Sequence, residues 1–64
     1  MVKINRYQHQ PLYAAPNAIA SVETPSASSQ WHGIASIVRM FDGRVIESTD
    51  RPEVIVAQVE RDDE

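Results

Sequence analysis

The sequence predicts a small α+β fold: an antiparallel sheet of three to four strands followed by one C-terminal helix. Three observations carry that expectation. Residues 34–41, "IASIVRMF", are a run of β-branched and large apolar side chains, the composition of a strand. Asp42 and Gly43 follow at once, and an Asp-Gly pair is a strong hairpin signal because a primed turn needs positive φ at its central residues. The segment "DRPEVIVAQV" then opens with the start signals of a helix. At 64 residues the chain is long enough for one domain, read as residues 1–59 with an acidic tail at 60–64.

Each element has its own signal. "VKINRY", residues 2–7, alternates apolar and polar, which suits a short strand with Val2 and Ile4 on one face. Pro11 and Pro16 bracket "QPLYAAPN"; proline removes ladder donors, so an extended or turning connection is expected there. "AIASVE", residues 18–23, is a second strand. "TPSASSQWHG", residues 24–33, has the proline, small hydroxyl residues and closing glycine of a loop, and it holds the single tryptophan, Trp31. After the hairpin, Asp50 is placed to cap the helix and Glu53 to complete a capping box, with Pro52 tolerated in the first turn. The β-branched run Val54, Ile55, Val56 favours a strand, but the start signals are the more specific.

A two-residue loop at Asp42 and Gly43 would pair Met40 with Val45, Arg39 with Ile46, Val38 with Glu47 and Ile37 with Ser48. In that register Ile34, Val38, Met40 and Val45 share one face, and Ala35, Ile37, Phe41 and Ile46 the other. Both faces are then half apolar, whereas a sheet with one wet face alternates more cleanly. One helix covers one face. A chain this short buries only about 60% of its unfolded surface, and it has no cysteine for a disulfide. The fold is therefore expected to be completed by homo-oligomerisation, with Ile37, Phe41 and Ile46 at the interface.

The run "AIASVE", a variable loop, and "ASIVRMFDGRVIESTDRPEVIVAQV" resemble the short FlbD/SwrD-like proteins of flagella and swarming motility. The matching positions are Ile19, Val22, Glu23, Ile37, Gly43, Glu47, Ser48, Glu53, Val54 and Val59, over about two-thirds of the chain. The resemblance implies the strand, hairpin and helix outline and no functional residue.

Charge narrows the function. The formal net charge is −3. Residues 60–64 carry four acids and one arginine, and residues 1–59 five acids and five bases. A neutral body with an acidic tail, the tail read as a solubilising end, does not suit non-specific nucleic-acid binding, which needs a basic surface. No window is apolar enough to span a membrane and the N-terminus has no apolar signal core, so a cytoplasmic protein is expected. His9 and His32 alone cannot fill a tetrahedral metal site, and no cofactor motif is present. The carboxylates are scattered, with no nucleophile motif, so the chain is not read as an enzyme.

Two function classes remain. One is a small non-enzymatic binding module, a regulator or phage-type inhibitor that docks on a larger host or cognate protein through Trp31 and its loop, tryptophan being enriched at binding hot spots. The other is an oligomer that sequesters a small anionic or nucleotide-type ligand at subunit interfaces with Trp31, His32, Arg39 and Arg44. Arg39 and Arg44 carry like charges near the turn, which invites an anion between them.

Overall fold

The computed structural model describes residues 1–62, with side chains through Arg61. The fold is α+β. Strands β1 (Val2–Ile4) and β2 (Leu12–Ala14) form an antiparallel ribbon. A 3₁₀ turn (Pro16–Ala18) leads into β3 (Ile19–Glu23), and a short helix α1 (Ala27–Trp31) follows. Strands β4 (Ser36–Met40) and β5 (Val45–Ser48) complete a three-stranded antiparallel sheet in the order β3-β4-β5. Helix α2 (Pro52–Asp62) closes the described chain and packs against β1, β3 and the 3₁₀ turn. It therefore continues past residue 59 into the expected tail, of which residues 63–64 lie outside the described residues.

The hairpin is one residue out of the expected register. Val38 pairs with Ile46 and Arg39 with Val45, leaving a three-residue loop, 41–43. Met40 N–H donates to Arg44 C=O at 2.9 Å and Gly43 N–H to Met40 C=O at 3.1 Å. Two features select this loop. Phe41 N–H donates to Ala18 C=O on the β3 side at 3.0 Å, so it cannot close the ladder toward Arg44. Gly43 alone takes positive φ, +94°, as a three-residue loop with a bulged glycine requires.

A one-residue slip exchanges the two faces of a strand. Ser36, Val38 and Met40 of β4 and Ile46 and Ser48 of β5 are buried, while Arg39, Val45 and Glu47 are exposed. The sheet thus has one core face and one largely polar face. Ile46 belongs to the core, Phe41 sits in the exposed loop, and Ile37 is half-buried on the outer face. The three do not share a surface, and the inference of a second copy over a half-apolar face falls with the register on which it stood.

The core is aliphatic. Val2, Ile4, Ala14, Val38, Met40, Ile46 and Ile55 form one buried cluster, with Leu12, Ala18, Ile19, Val22 and Val59 packed against it. Ile55 is fully buried while Val54 and Val56 are exposed, so α2 presents one side of its β-branched run to the core.

Strand β1 shows how the two sheets are joined. Its edge away from β2 offers the backbone of alternate residues, and each is met. Gln58 on α2 accepts from Lys3 N–H through Oε1 and donates to Lys3 C=O through Nε2, both at 3.0 Å. The Asp50 carboxylate accepts from Asn5 N–H at 3.2 Å and from Asn5 Nδ2 at 3.1 and 3.2 Å. Asn5 C=O accepts from Thr49 N–H at 2.9 Å and Ser48 Oγ at 3.0 Å. Tyr7 N–H donates to Glu47 C=O at 2.9 Å, beside an isolated antiparallel bridge between Arg6 and Ser48. The fully buried Ser36 donates to Asp50 C=O at 2.8 Å, and Ser48 Oγ accepts from Asp50 N–H at 3.0 Å.

Asp50 is therefore not the helix cap that its position suggested. α2 starts at Pro52, where the missing N–H is harmless. Val54 N–H and Ile55 N–H both donate to Arg51 C=O, at 3.0 and 3.4 Å.

Asp50→Ala leaves the part-buried Asn5 donors without acceptors. It should lower unfolding stability by about 2 kcal/mol, read as a lower urea midpoint at unchanged slope. Gln8 sits at φ +58° in the turn after β1, a region that costs a side-chain-bearing residue about 1–2 kcal/mol. Gln8→Gly should raise unfolding stability by roughly 1 kcal/mol, read as a higher urea midpoint.

Candidate binding surface

Trp31 is the last residue of α1, and its side chain is 87% exposed. The helix that presents it is short but held at both ends. Ser26 caps the start, its Oγ accepting from Ser29 N–H at 3.4 Å. At the other end Ile34 N–H donates to Ser29 C=O at 3.2 Å and Gly33 N–H to Gln30 C=O at 3.0 Å, with Gly33 at φ +93°. That pair of bonds around a left-handed glycine is the Schellman C-cap. Ile34, just beyond it, is buried and ties the cap to the body. Gln30 Nε2 also donates to the carbonyl of buried Pro25 at 3.1 Å.

Two depressions flank α1. A shallow one of about 330 Å³ is lined by Ala27, Gln30 and Trp31. A larger open groove of about 530 Å³ runs between α1 and the start of α2, with Thr24, Gln30, Ile34, Arg51, Pro52 and Glu53 among its walls. Gln30 is a wall of both, so Trp31 and the groove lie side by side.

The other expected site residues are elsewhere. His32 is exposed next to Trp31, as the C-cap residue of α1. Arg39 lies toward the far end of β4, and Arg44 lies in the hairpin beyond it, so the length of β4 separates both from Trp31. Each arginine already holds a carboxylate: Arg39 Nε donates to Glu23, and Arg44 Nε to Asp42 Oδ2 at 2.7 Å. The like charges therefore point to two separate acids rather than to a shared anion. Arg44 N–H also donates to Asp42 Oδ1 at 3.0 Å. That backbone bond, more than the guanidinium, holds the Asp42 carboxyl below its ordinary value.

Arg51 and Glu53 were not singled out by the sequence as binding residues. They read there only as part of a helix start, and their place in a groove depends on where α1 settles. Among the described residues no three His, Cys, Asp or Glu side chains converge as a metal site would need, and no helix is long and apolar enough to cross a membrane. No family model, curated protein or solved structure matches the chain.

Gly33→Ala forces a side chain into positive φ, although the added Cβ would meet only Tyr7 Cε2, at an ordinary 3.9 Å. It should cost about 1 kcal/mol or more through backbone conformation alone, measured by urea unfolding. Asp42 should titrate below the ordinary value of 3.8 by NMR. Because its folded value is depressed, its stabilising effect is present above that ordinary value and is lost as pH falls through the lower folded value. Arg44→Ala should leave much of the depression in place, since the Arg44 N–H remains.

Proposed function

We propose that this chain is a non-enzymatic binding module that docks on a larger protein, with Trp31 as the anchor. One observation carries the reading. The core is built without aromatic residues, while Trp31, Phe41 and Tyr13 are 87%, 74% and 59% exposed. A small fold short of buried area gains from placing its largest apolar side chains inside, where an aromatic buries about 150–250 Å². Keeping Trp31 outside, on a helix capped at both ends, suits a pre-organised contact: the indole has few rotamers to lose on binding.

The rival reading, capture of a small anion by Arg39 and Arg44, has less support because Glu23 and Asp42 already neutralise both guanidinium groups. A regulator or inhibitor of this kind would act by occupying a surface that its target needs for other contacts.

The test uses the full chain, wild type and Trp31→Ala, immobilised at equal density and exposed to lysate of the cells in which it is made. Trp31→Ala should fold with stability within about 0.5 kcal/mol of wild type, as an exposed site should. It should lose about 2 kcal/mol or more of partner affinity, roughly thirty-fold. Retention of the same partner by both proteins at equal affinity would remove Trp31 from the anchor role.

A further inference from the structure

We propose that two copies of this chain associate by exchanging Trp31, each indole seated in the groove of the other between α1 and α2. The inference rests on the same Trp31 anchor as the binding role above, and it adds what covers that anchor when no other partner is present.

Gln30 lines both depressions, so the knob and the groove are neighbours on one surface region. A two-fold axis passing beside Gln30 would bring each Trp31 to the other copy's groove at the same time, as a closed two-fold contact demands. The groove, at about 530 Å³, has room for an indole. Ile34 and Pro52 give its lining an apolar part, and Thr24 and Glu53 offer acceptors for the indole N–H.

Charge points the same way. Arg51 and Glu53 both line the groove, and neither side chain has an ionic partner among the described residues. A surface with one unpaired cation and one unpaired anion side by side is complementary to its own copy. Turned through the two-fold axis, Arg51 of each chain faces Glu53 of the other. A uniformly acidic or basic partner would gain one contact and suffer one repulsion at the same place.

Magnitude sets the strength. Two exchanged indoles bury about 150–250 Å² each, well short of the roughly 1,600 Å² of a standard stable interface. The dimer is therefore weak and concentration-dependent. A larger protein that buries Trp31 more fully competes with it.

Charge reversal tests the geometry. Arg51→Glu places two acids in each groove and Glu53→Arg two bases. In sedimentation velocity over a concentration series, wild type should shift from monomer toward dimer, and each variant alone should stay monomeric. An equimolar mixture of the two should recover the dimer at wild-type concentrations or below. Trp31→Ala, which alters only an exposed side chain, should also stay monomeric and serves if either charge variant fails to fold. Wild type that remains monomeric throughout overturns the proposal, as does Trp31→Ala that dimerises like wild type or a mixture that does not associate. A monomeric wild type whose larger partner is still lost with Trp31→Ala would sink only the exchange. A dimer that obeys these rules, without any Trp31-dependent partner, would sink only the docking role.

Discussion

The hydrogen bonds between Asp50 and Asn5 sit at the centre of a network that joins the N-terminal ribbon to the segment after β5. Asn5 and Asp50 lie 45 residues apart in sequence. Between them the carboxylate, Ser48, Thr49 and Gln58 satisfy the free edge of β1 at Lys3 and Asn5. The Asn5 bonds are part-buried, and a buried backbone group left unpaired costs about 1–3 kcal/mol, a sizeable share of what a 64-residue fold can supply. The network also fixes where α2 begins. With the Asp50 carboxylate engaged by Asn5, the first helical turn forms on Arg51 C=O with Pro52 ahead of it.

The placement of α2 then shapes the outer surface. Ile55 reaches the core, and Gln58 is committed to Lys3. Pro52 and Glu53 are left as one wall of the groove whose opposite wall is α1. Helix α1 is placed independently, by the Ser26 cap and by the left-handed Gly33 that turns the chain into buried Ile34. Both walls are thus set by hydrogen bonds and burial rather than by loose loops. The exposed tryptophan consequently has a defined position, which separates an anchor from a side chain that is simply outside.

Much of the fold was legible because its signals are local. The alternation of Val2 and Ile4, the strand at Ile19–Glu23, the hairpin glycine and the helix after Arg51 all follow from short-range chemistry. The misreadings have particular causes. Asp42 and Gly43 mark a hairpin but do not count its loop residues; the Phe41 to Ala18 bond from outside the hairpin decided the count. That single residue moved Ile46 from an expected interface into the core. Strand β2 was hidden because Leu12–Ala14 is only three residues long and flanked by prolines, and it forms on the template of β1. Helix α1 was hidden in a serine-rich stretch whose Ser26 and Gly33 are a start and a stop signal respectively. Trp31 and His32 were found as neighbours from the sequence, but the groove beside them needed Arg51 and Glu53 brought in by tertiary packing.

The ribbon and the three-stranded sheet form one cooperative unit, fastened through Asn5 and Asp50. Native-state hydrogen exchange of the Asn5, Tyr7 and Thr49 amides measures this most directly. If the fastening holds, these amides exchange only through global opening, with the same opening free energy as the Val38 amide in the centre of the sheet. If they exchange through a separate, lower-energy opening while Val38 stays protected, the ribbon detaches on its own and the Asn5–Asp50 contact does not hold the fold together.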